Sequence, residues 1–292
     1  MTLGGVLAPV PTPFDERDRL DLARFRSALA TWLAHPLAGI VVLGSTGEEV
    51  LMDDDERLDV IRAARELVPR TKWLIAGTGR ESTRSAIRAV EQAAAAGADA
   101  VLVRTPGFYR AQITADALVA HYIAVAESSP VPVLLYQFPA LTGITMERET
   151  VARLAVHPNI AGMKDSSGDV LKFTDYASCA SEAFAVFTGS AATFYQSVCL
   201  GAAGGILALA CILPDTCTRL FELARSGRHE EARGLQQALV PIAKLVGSTL
   251  GVPGVKAALQ LVGIDVGAPR HPLGVPSREQ IEQLRVALAD LA

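Results

Sequence analysis

The residues best placed for covalent chemistry are a lysine and a tyrosine that each close an apolar run. Lys164 follows Met163 at the end of one run, and Tyr136 ends the run that begins at Val133. Apolar surroundings disfavour the charged form of an amine and leave a neutral amine that can attack a carbonyl carbon. A neighbouring phenol can relay protons for carbinolamine formation and carbon–carbon cleavage. The residues alone leave another interpretation open, in which Lys164 is a rim lysine that reaches solvent or pairs with Asp165, and Tyr136 is a core tyrosine.

A donor-rich segment, Gly44-Ser45-Thr46-Gly47-Glu48, follows a second apolar run. Its two hydroxyls and its backbone N–H groups could bind a carboxylate without a formal positive charge. The alternative is a tight turn in which Ser45 or Thr46 makes only local hydrogen bonds. The spacing by itself does not separate these two interpretations.

Several other chemistries lack their motifs. The five histidines lie far apart and have neither HxH nor HExxH spacing, so we expect no metal-dependent mechanism and no bound metal. The sequence contains no GxSxG nucleophile motif and no GxxxxGK[ST] phosphate loop. After Gly77-Thr78-Gly79, Ser82 stands where a dinucleotide fingerprint needs its third glycine, so we expect no cofactor.

The elements that must position these residues are short apolar runs that alternate with longer amphipathic segments. The runs are rich in Val, Ile and Leu with little polar alternation, which is typical of parallel strands buried on both faces. They begin at Val6, Ile40, Trp73, Ala100, Val133, Ile160, Ala185 and Gly205.

The amphipathic segments carry helix start and stop signals. We predict helices over Asp53–Val68, Ser82–Ala96 and Thr114–Ser128, with Ser82 or Thr83 as the N-cap of the second. Eight strand–helix units before about residue 225 predict an α/β protein with a closed (β/α)8 TIM barrel. The active site of such a barrel gathers at the carboxyl ends of the strands, where Lys164 and Tyr136 would stand.

After residue 225 the strand signals stop. We therefore predict one barrel over residues 1–225 and a C-terminal helical extension over residues 226–292. The predicted helices of the extension are His229 to about Leu250, Val255–Val262 and Ser277–Leu291.

Composition excludes several classes of partner. The chain has 292 residues, of which half are hydrophobic, and 27 basic residues stand against 31 acidic ones, a net charge of −4. That balance offers no electrostatic footprint for nucleic acid or for an anionic membrane. Four cysteines without a CxxC pair predict free, mostly buried thiols, and prolines interrupt an N-terminal run that has no basic leader. We therefore expect a soluble cytoplasmic protein.

Taken together, the motifs resemble those of the dihydrodipicolinate synthase / N-acetylneuraminate lyase superfamily. The similarity covers nearly the whole chain. The motifs that carry it are Gly44-Ser45-Thr46-Gly47-Glu48, Tyr136-x-x-Pro139-x-x-x-Gly143 and Gly162-Met163-Lys164-Asp165-Ser166. The resemblance implies a pyruvate-dependent class I aldolase on a (β/α)8 barrel, a homotetramer built as a dimer of dimers.

The resemblance also assigns roles to residues. Lys164 would form the Schiff base with the 2-oxo acid, and Tyr136 would relay protons, linked to Ser45. Ser45 and Thr46 would hold the carboxylate of pyruvate.

Further residues would line the same site. By the resemblance these are Gly189 and Ile206. Strand-end position adds four candidates for contacting the aldehyde half of the substrate, which the sequence does not rank: Arg110, Gln137, Ser166 and Ser190.

Two departures from the family pattern bear on the substrate. Leu141 stands where dihydrodipicolinate synthases carry an arginine that binds the aldehyde's carboxylate, and Phe108 stands where they carry a tyrosine donated across the dimer interface. Loss of a bidentate cation and of a phenol argues against the synthase reaction.

We therefore place a 4-hydroxy-2-oxo acid aldolase first, with 4-hydroxy-2-oxoglutarate as the model substrate. The segments Gly162–Asp169, Leu200–Gly205 and Gly251–Lys256 resemble that branch. The alternatives are aldolases or dehydratases of 2-oxo-3-deoxy sugar acids, dihydrodipicolinate synthase, and a non-catalytic paralogue that binds an oxo acid without turnover.

Overall fold

Eight parallel strands close into a barrel in the computed structural model, which describes residues 3–291. Each strand pairs with the next along the chain, and the first also pairs with the last, which confirms the predicted (β/α)8 TIM barrel. Met1, Thr2 and Ala292, the ends of the predicted ranges, lie outside the described residues. The strands are β1 Gly5–Pro9, β2 Gly39–Val42, β3 Trp73–Gly77, β4 Ala100–Arg104, β5 Val133–Gln137, β6 Ile160–Asp165, β7 Ala185–Thr188 and β8 Gly204–Ile206.

The strands are apolar on both faces because both faces are buried. Side chains that point outward pack under the helical layer and join the larger core cluster. Side chains that point inward fill the barrel, which is therefore a packed core rather than a pore. The inward cluster consists of Leu7, Val41, Ile75, Ala100, Leu102, Leu134, Tyr136, Phe187 and Ile206.

The helices that follow the strands start where local sequence signals place them. Asp53 and Glu56 form a capping box at the start of α2 (Asp54–Leu67), and the Ser82 hydroxyl accepts a hydrogen bond from the Ser85 N–H at the start of α3 (Thr83–Ala95). The helices of the barrel are α1 Leu22–Leu33, α2 Asp54–Leu67, α3 Thr83–Ala95, α4 Ala115–Ser128, α5 Pro139–Thr142, α6 Arg148–Ala155, α7 Val170–Ala177, α8 Phe194–Cys199 and α9 Pro214–Arg225.

The extension contains three further helices: α10 His229–Lys244, α11 Gly251–Leu261 and α12 Arg278–Ala289. The helix predicted to run to Leu250 instead ends at Lys244 and continues as a π-helical turn over Leu245–Thr249. The helix predicted from Val255 begins at Gly251, so Pro253 lies in its first turn. Proline is tolerated there because its missing N–H would have no partner within the helix.

The four cysteines are free thiols, as predicted, but only Cys211 and Cys217 are buried, whereas Cys179 is half-buried and Cys199 is exposed. The expectation that most would be buried therefore holds for half of them. Within residues 3–291, no helix is both long and apolar enough to span a membrane.

Candidate active site

Lys164 and Tyr136 face each other inside the mouth of the barrel. They are paired in register on β6 and β5, so both side chains point to the same side of the sheet. Lys164 Nζ lies 4.5 Å from the centroid of the Tyr136 ring. The two residues are 5% and 3% exposed, and no carboxylate of residues 3–291 lies within 4 Å of Lys164 Nζ. The interpretation of Lys164 as a solvated or Asp165-paired rim lysine is therefore wrong.

A hydroxyl from the β2 end completes this cluster. Ser45 Oγ lies 3.1 Å from the Tyr136 hydroxyl, and either group can be the donor. A nucleophile, a phenol and a second hydroxyl thus come from the carboxyl ends of three different strands. That is where a barrel of this kind assembles its chemistry.

The segment Gly44–Glu48 forms a tight turn whose free donors suit an anion. Its 3-10 turn spans Ser45–Gly47. The Gly47 N–H donates to the Gly44 carbonyl, and the Glu48 N–H donates to the Ser45 carbonyl. Among the described residues no acceptor faces the N–H of Ser45 or of Thr46. These two N–H groups and the adjoining hydroxyls can therefore bind a carboxylate.

The same turn is bracketed by unusual backbone. Leu43 and Glu48 have φ of 56° and 58°, the left-handed region that costs a non-glycine residue about 1–3 kcal/mol. Such conformations persist only where surrounding contacts hold them, and they cluster at functional sites.

Three more predicted residues lie around Lys164. Ile206 ends β8 and belongs to the same inward cluster as Tyr136. Gly189 follows β7, and a Cβ built on it would collide with Ser166 Oγ and lie 2.9 Å from Lys164 Cε. Gly189 and Ser166 therefore form one wall against the lysine side chain, and only glycine leaves room for that wall.

Substitution of Gly189 by alanine should lower kcat/KM about 10- to 100-fold, because the new methyl group pushes Lys164 out of its productive position. Steady-state kinetics would measure this loss, and a circular dichroism melt would check the fold. Gly234→Ala is the matched control, since a Cβ at Gly234 in α10 meets nothing within 4 Å. Equal kinetics of the Gly189 variant and the control would contradict this account of the wall.

Gln137 and Asp165 lie at the ends of β5 and β6, but their side chains do not face the interior of the barrel. They follow Tyr136 and Lys164 on the same strands, so they point to the outer face of the sheet. Gln137 Nε2 donates to Asp165 Oδ1 at 3.2 Å and to the Tyr176 hydroxyl at 2.6 Å, and the Gln137 side chain is fully buried. The expectation that Gln137 contacts the aldehyde half of the substrate is therefore wrong.

Asp165 instead anchors the loop after β6. It accepts hydrogen bonds from the Ser167 N–H at 3.1 Å and from the Ser167 hydroxyl at 2.8 Å. Burial raises the pKa of Asp165, and these hydrogen bonds oppose that shift. The sequence did not predict this role of Asp165. The role follows from the alternation of side chains between the two faces of β6 and from the pairing of Asp165 with Gln137 on β5.

The rim of the mouth carries the two residues that depart from the synthase pattern. Phe108 and Leu141 are 76% and 64% exposed, Phe108 in the loop after β4 and Leu141 in α5, which follows β5. Arg110 lies nearby, because its Nη1 is 2.7 Å from where a Cβ on Gly143 would be. Ser190 is half-buried and follows β7. Both Ser190 and Arg110 therefore lie at the carboxyl end of the barrel and stay candidates for contacting the aldehyde half of the substrate.

The loop that bears Phe108 is held by Glu81. Its Oε2 accepts the N–H groups of Gly107 and Phe108, both at 2.9 Å, and its Oε1 accepts from Arg104 at 2.7 Å. Burial alone would raise the pKa of Glu81, but these hydrogen bonds lower it overall. Glu81 therefore fixes the backbone at Gly107 and Phe108, at the mouth of the barrel.

Within the described part of the chain, no group of three or more His, Cys, Asp or Glu side chains could hold a metal ion. The groups that converge at the mouth are an amine, a phenol, a hydroxyl and a turn with free donors. Together they can attack a carbonyl, move a proton and bind a carboxylate.

Known proteins share the sequence pattern and the fold of this chain. Residues 2–291 match the Dihydrodipicolinate synthetase family. The chain is 38% identical over 291 residues to a protein of Emericella nidulans named "probable 4-hydroxy-2-oxoglutarate aldolase, mitochondrial", covering 98% of this chain and 94% of that one. It is 36% identical over 297 residues to 4-hydroxy-tetrahydrodipicolinate synthase of Xanthomonas campestris, covering 100% and 98%.

A solved structure gives the same result. Chloride-inhibited dihydrodipicolinate synthase from Acinetobacter baumannii, complexed with pyruvate, matches with a TM-score of 0.94 and 30% identity over 99% of each chain. The whole barrel and its helical extension thus share one architecture with that enzyme.

Proposed function

This chain belongs to the dihydrodipicolinate synthetase family of lyases and aldolases, and from that premise we propose that it cleaves or forms a 4-hydroxy-2-oxo acid, such as 4-hydroxy-2-oxoglutarate, through an imine on Lys164. The products of cleavage are pyruvate and an aldehyde. The observation that carries the proposal is a buried amine 4.5 Å from the ring of a phenol that contacts Ser45. The pyruvate in the Acinetobacter baumannii complex supports the choice of oxo acid.

In the cleavage direction, the neutral Lys164 amine adds to the C2 carbonyl carbon of the substrate to form a carbinolamine. The carbinolamine hydroxyl takes a proton from the Tyr136 phenol and leaves as water, and the protonated imine that results acts as an electron sink. As the 4-hydroxyl loses its proton, the C3–C4 bond breaks, its electron pair forms an enamine, and the aldehyde leaves. Protonation of the enamine at C3 and hydrolysis of the imine release pyruvate and restore the amine.

Tyr136 and the turn after β2 serve this sequence in different ways. Having given its own proton to the departing water, Tyr136 takes the proton from the 4-hydroxyl, and its 3.1 Å contact with Ser45 links it to a second hydroxyl. Ser45 and Thr46 hold the carboxylate next to C2, which keeps the carbonyl carbon facing Lys164. Gly189, Ser166 and Ile206 line the remaining walls.

The choice of substrate within the family rests on the rim. Synthases bind the carboxylate of their aldehyde with an arginine at the position of Leu141, and this leucine offers no hydrogen bond. The full-length likeness to a protein named as a 4-hydroxy-2-oxoglutarate aldolase agrees with that reading. The synthase reaction is the second candidate because several relatives at 30–36% identity carry that name. The non-catalytic alternative is disfavoured, since these relatives are named as enzymes and the amine and phenol are both in place.

A panel of substrates tests the proposal. We expect the highest kcat/KM for pyruvate release from 4-hydroxy-2-oxoglutarate, lower values for 2-oxo-3-deoxy sugar acids, and little condensation of pyruvate with aspartate semialdehyde. A coupled assay for pyruvate measures the first two, and dihydrodipicolinate formation measures the third. Condensation with aspartate semialdehyde at the highest kcat/KM would overturn the substrate assignment in favour of the synthase.

Two expectations, the oligomeric state and the location, stay predictions. The homotetramer is inferred from resemblance, and the molar mass in solution tests it. The cytoplasmic location is likewise a prediction, and the name of the Emericella nidulans relative places that protein in mitochondria.

A further inference from the structure

A second buried lysine, Lys256 of α11, reaches out of the extension to the turn that carries Ser45 and Thr46. Its Nζ lies 2.6 Å from Glu48 Oε1, and both side chains are at most 1% exposed. The Arg270 N–H, also in the extension, donates to the other carboxylate oxygen of Glu48 at 2.7 Å. The C-terminal extension therefore contacts both carboxylate oxygens of Glu48, the last residue of the Gly44–Glu48 turn.

The remaining donors of Lys256 tie the same turn by a second route. Besides its ion pair with Glu48, Nζ donates to the carbonyls of Thr12 at 2.7 Å and Ala268 at 2.9 Å. The Thr12 hydroxyl in turn donates to the Gly47 carbonyl at 2.7 Å. One ammonium thus fixes Glu48 directly and Gly47 through Thr12.

The Gly44–Glu48 turn depends on these contacts because its backbone is strained at Glu48. Glu48 has a φ of 58°, and a non-glycine residue keeps that conformation only when its surroundings over-determine it. The strained residue is the C-cap of the 3-10 turn Ser45–Gly47, and its N–H closes that turn on the Ser45 carbonyl. If the Glu48 backbone relaxed, the N–H groups and hydroxyls of Ser45 and Thr46 would be redirected.

We propose that Lys256 is a positioning residue through which the C-terminal extension shapes the turn that binds the substrate carboxylate. This inference rests on the proposed function, in which that turn holds the carboxylate of pyruvate. Breaking the Lys256–Glu48 contact then weakens the capture of pyruvate more than it slows the later bond-breaking steps, because Lys164 and Tyr136 stand on other strands and, of the turn, only Ser45 contacts Tyr136.

The test is a double variant, Glu48→Gln with Lys256→Met, which removes both charges together. Removing one alone would leave an unpaired buried charge and endanger folding. We expect the pyruvate concentration that half-saturates borohydride trapping to rise about 10- to 100-fold. The KM for the cleaved substrate should rise in parallel, with a much smaller change in kcat.

Two further variants keep the test decisive. Glu48→Asp retains both charges but shortens the side chain, and it should give an intermediate rise even if the double variant folds poorly. Lys72→Met is the matched control, because Lys72 Nζ also donates to backbone carbonyls, those of His35 and Leu37, but at the amino end of the barrel. Its half-saturation should equal that of the unmodified chain.

Different failures give different results. A lowered melting temperature with unchanged half-saturation in both Glu48 variants would overturn the positioning role and leave the proposed function intact. Absence of any pyruvate adduct in the unmodified chain would overturn the proposed function, and this inference with it.

Discussion

Replacement of Lys164 by arginine should abolish both turnover and the borohydride-trapped pyruvate adduct. A guanidinium stays protonated at any workable pH, so the variant has no neutral amine to add to a carbonyl. Arginine still places a polar group beside the Tyr136 ring, so the loss reports nucleophilicity rather than the contact with that ring. Pyruvate release from the best substrate of the panel and incorporation of labelled pyruvate after reduction measure the two effects.

Lys172→Arg is the matched control for this prediction. Lys172 pairs with Glu147 at 2.6 Å on the surface, where arginine can make the same ion pair. The control should retain full activity and full labelling. Residual labelling of the Lys164 variant at the level of this control would show that another group forms the adduct.

Replacement of Tyr136 by phenylalanine should slow turnover by about 10²- to 10⁴-fold, the range typical of general acid–base groups. The ring that packs against Lys164 and in the barrel interior remains, and only the hydroxyl that contacts Ser45 is lost. We therefore expect the variant to fold normally and still to be trapped with pyruvate, but with kcat reduced far more than KM rises.

Tyr122→Phe provides the comparison for this second effect. Tyr122 is a fully buried tyrosine of α4 whose hydroxyl donates to the Val103 carbonyl at 3.2 Å, in the core cluster under the helices rather than inside the barrel. Its loss should lower the melting temperature slightly and leave kcat unchanged. If Tyr136→Phe behaved like Tyr122→Phe, Tyr136 would have no place in the proton path.

The strands were the most predictable part of the fold. A parallel strand in a barrel is buried on both faces, so its signal is an unbroken apolar run such as residues 133–136 or 100–103. Local hydrogen bonds explain the helix starts equally well, since Asp53 and Ser82 cap α2 and α3 with their own side chains. Both signals are contained within a few consecutive residues.

The side-chain geometry of the site was predictable only where strand position decides it. Lys164 and Tyr136 were expected together because both end neighbouring strands, and the register pairs them. Gln137, the next residue along β5, was wrongly assigned to the site. Its position at the end of the strand is near the mouth, but side chains alternate between the two faces of a strand, so its side chain points outward.

The contact between Lys256 and Glu48 was not predictable for a different reason. The two residues lie far apart in the chain, and each alone resembles an ordinary charged residue of a helix or a loop. Only the packing of α11 behind the turn brings them to 2.6 Å and removes them from solvent. Burial of a charge and the identity of its partner are properties of the assembled fold.

Peptide mapping of the unmodified protein after reduction with borohydride in the presence of pyruvate tests the central claim most directly. The chain offers five lysines to such a reagent: Lys72, Lys164, Lys172, Lys244 and Lys256. We predict that one reduced pyruvyl group is found, on the peptide that contains Lys164, and that prior reduction blocks turnover in proportion to labelling. An unlabelled Lys164 peptide from a fully active sample would contradict the imine mechanism.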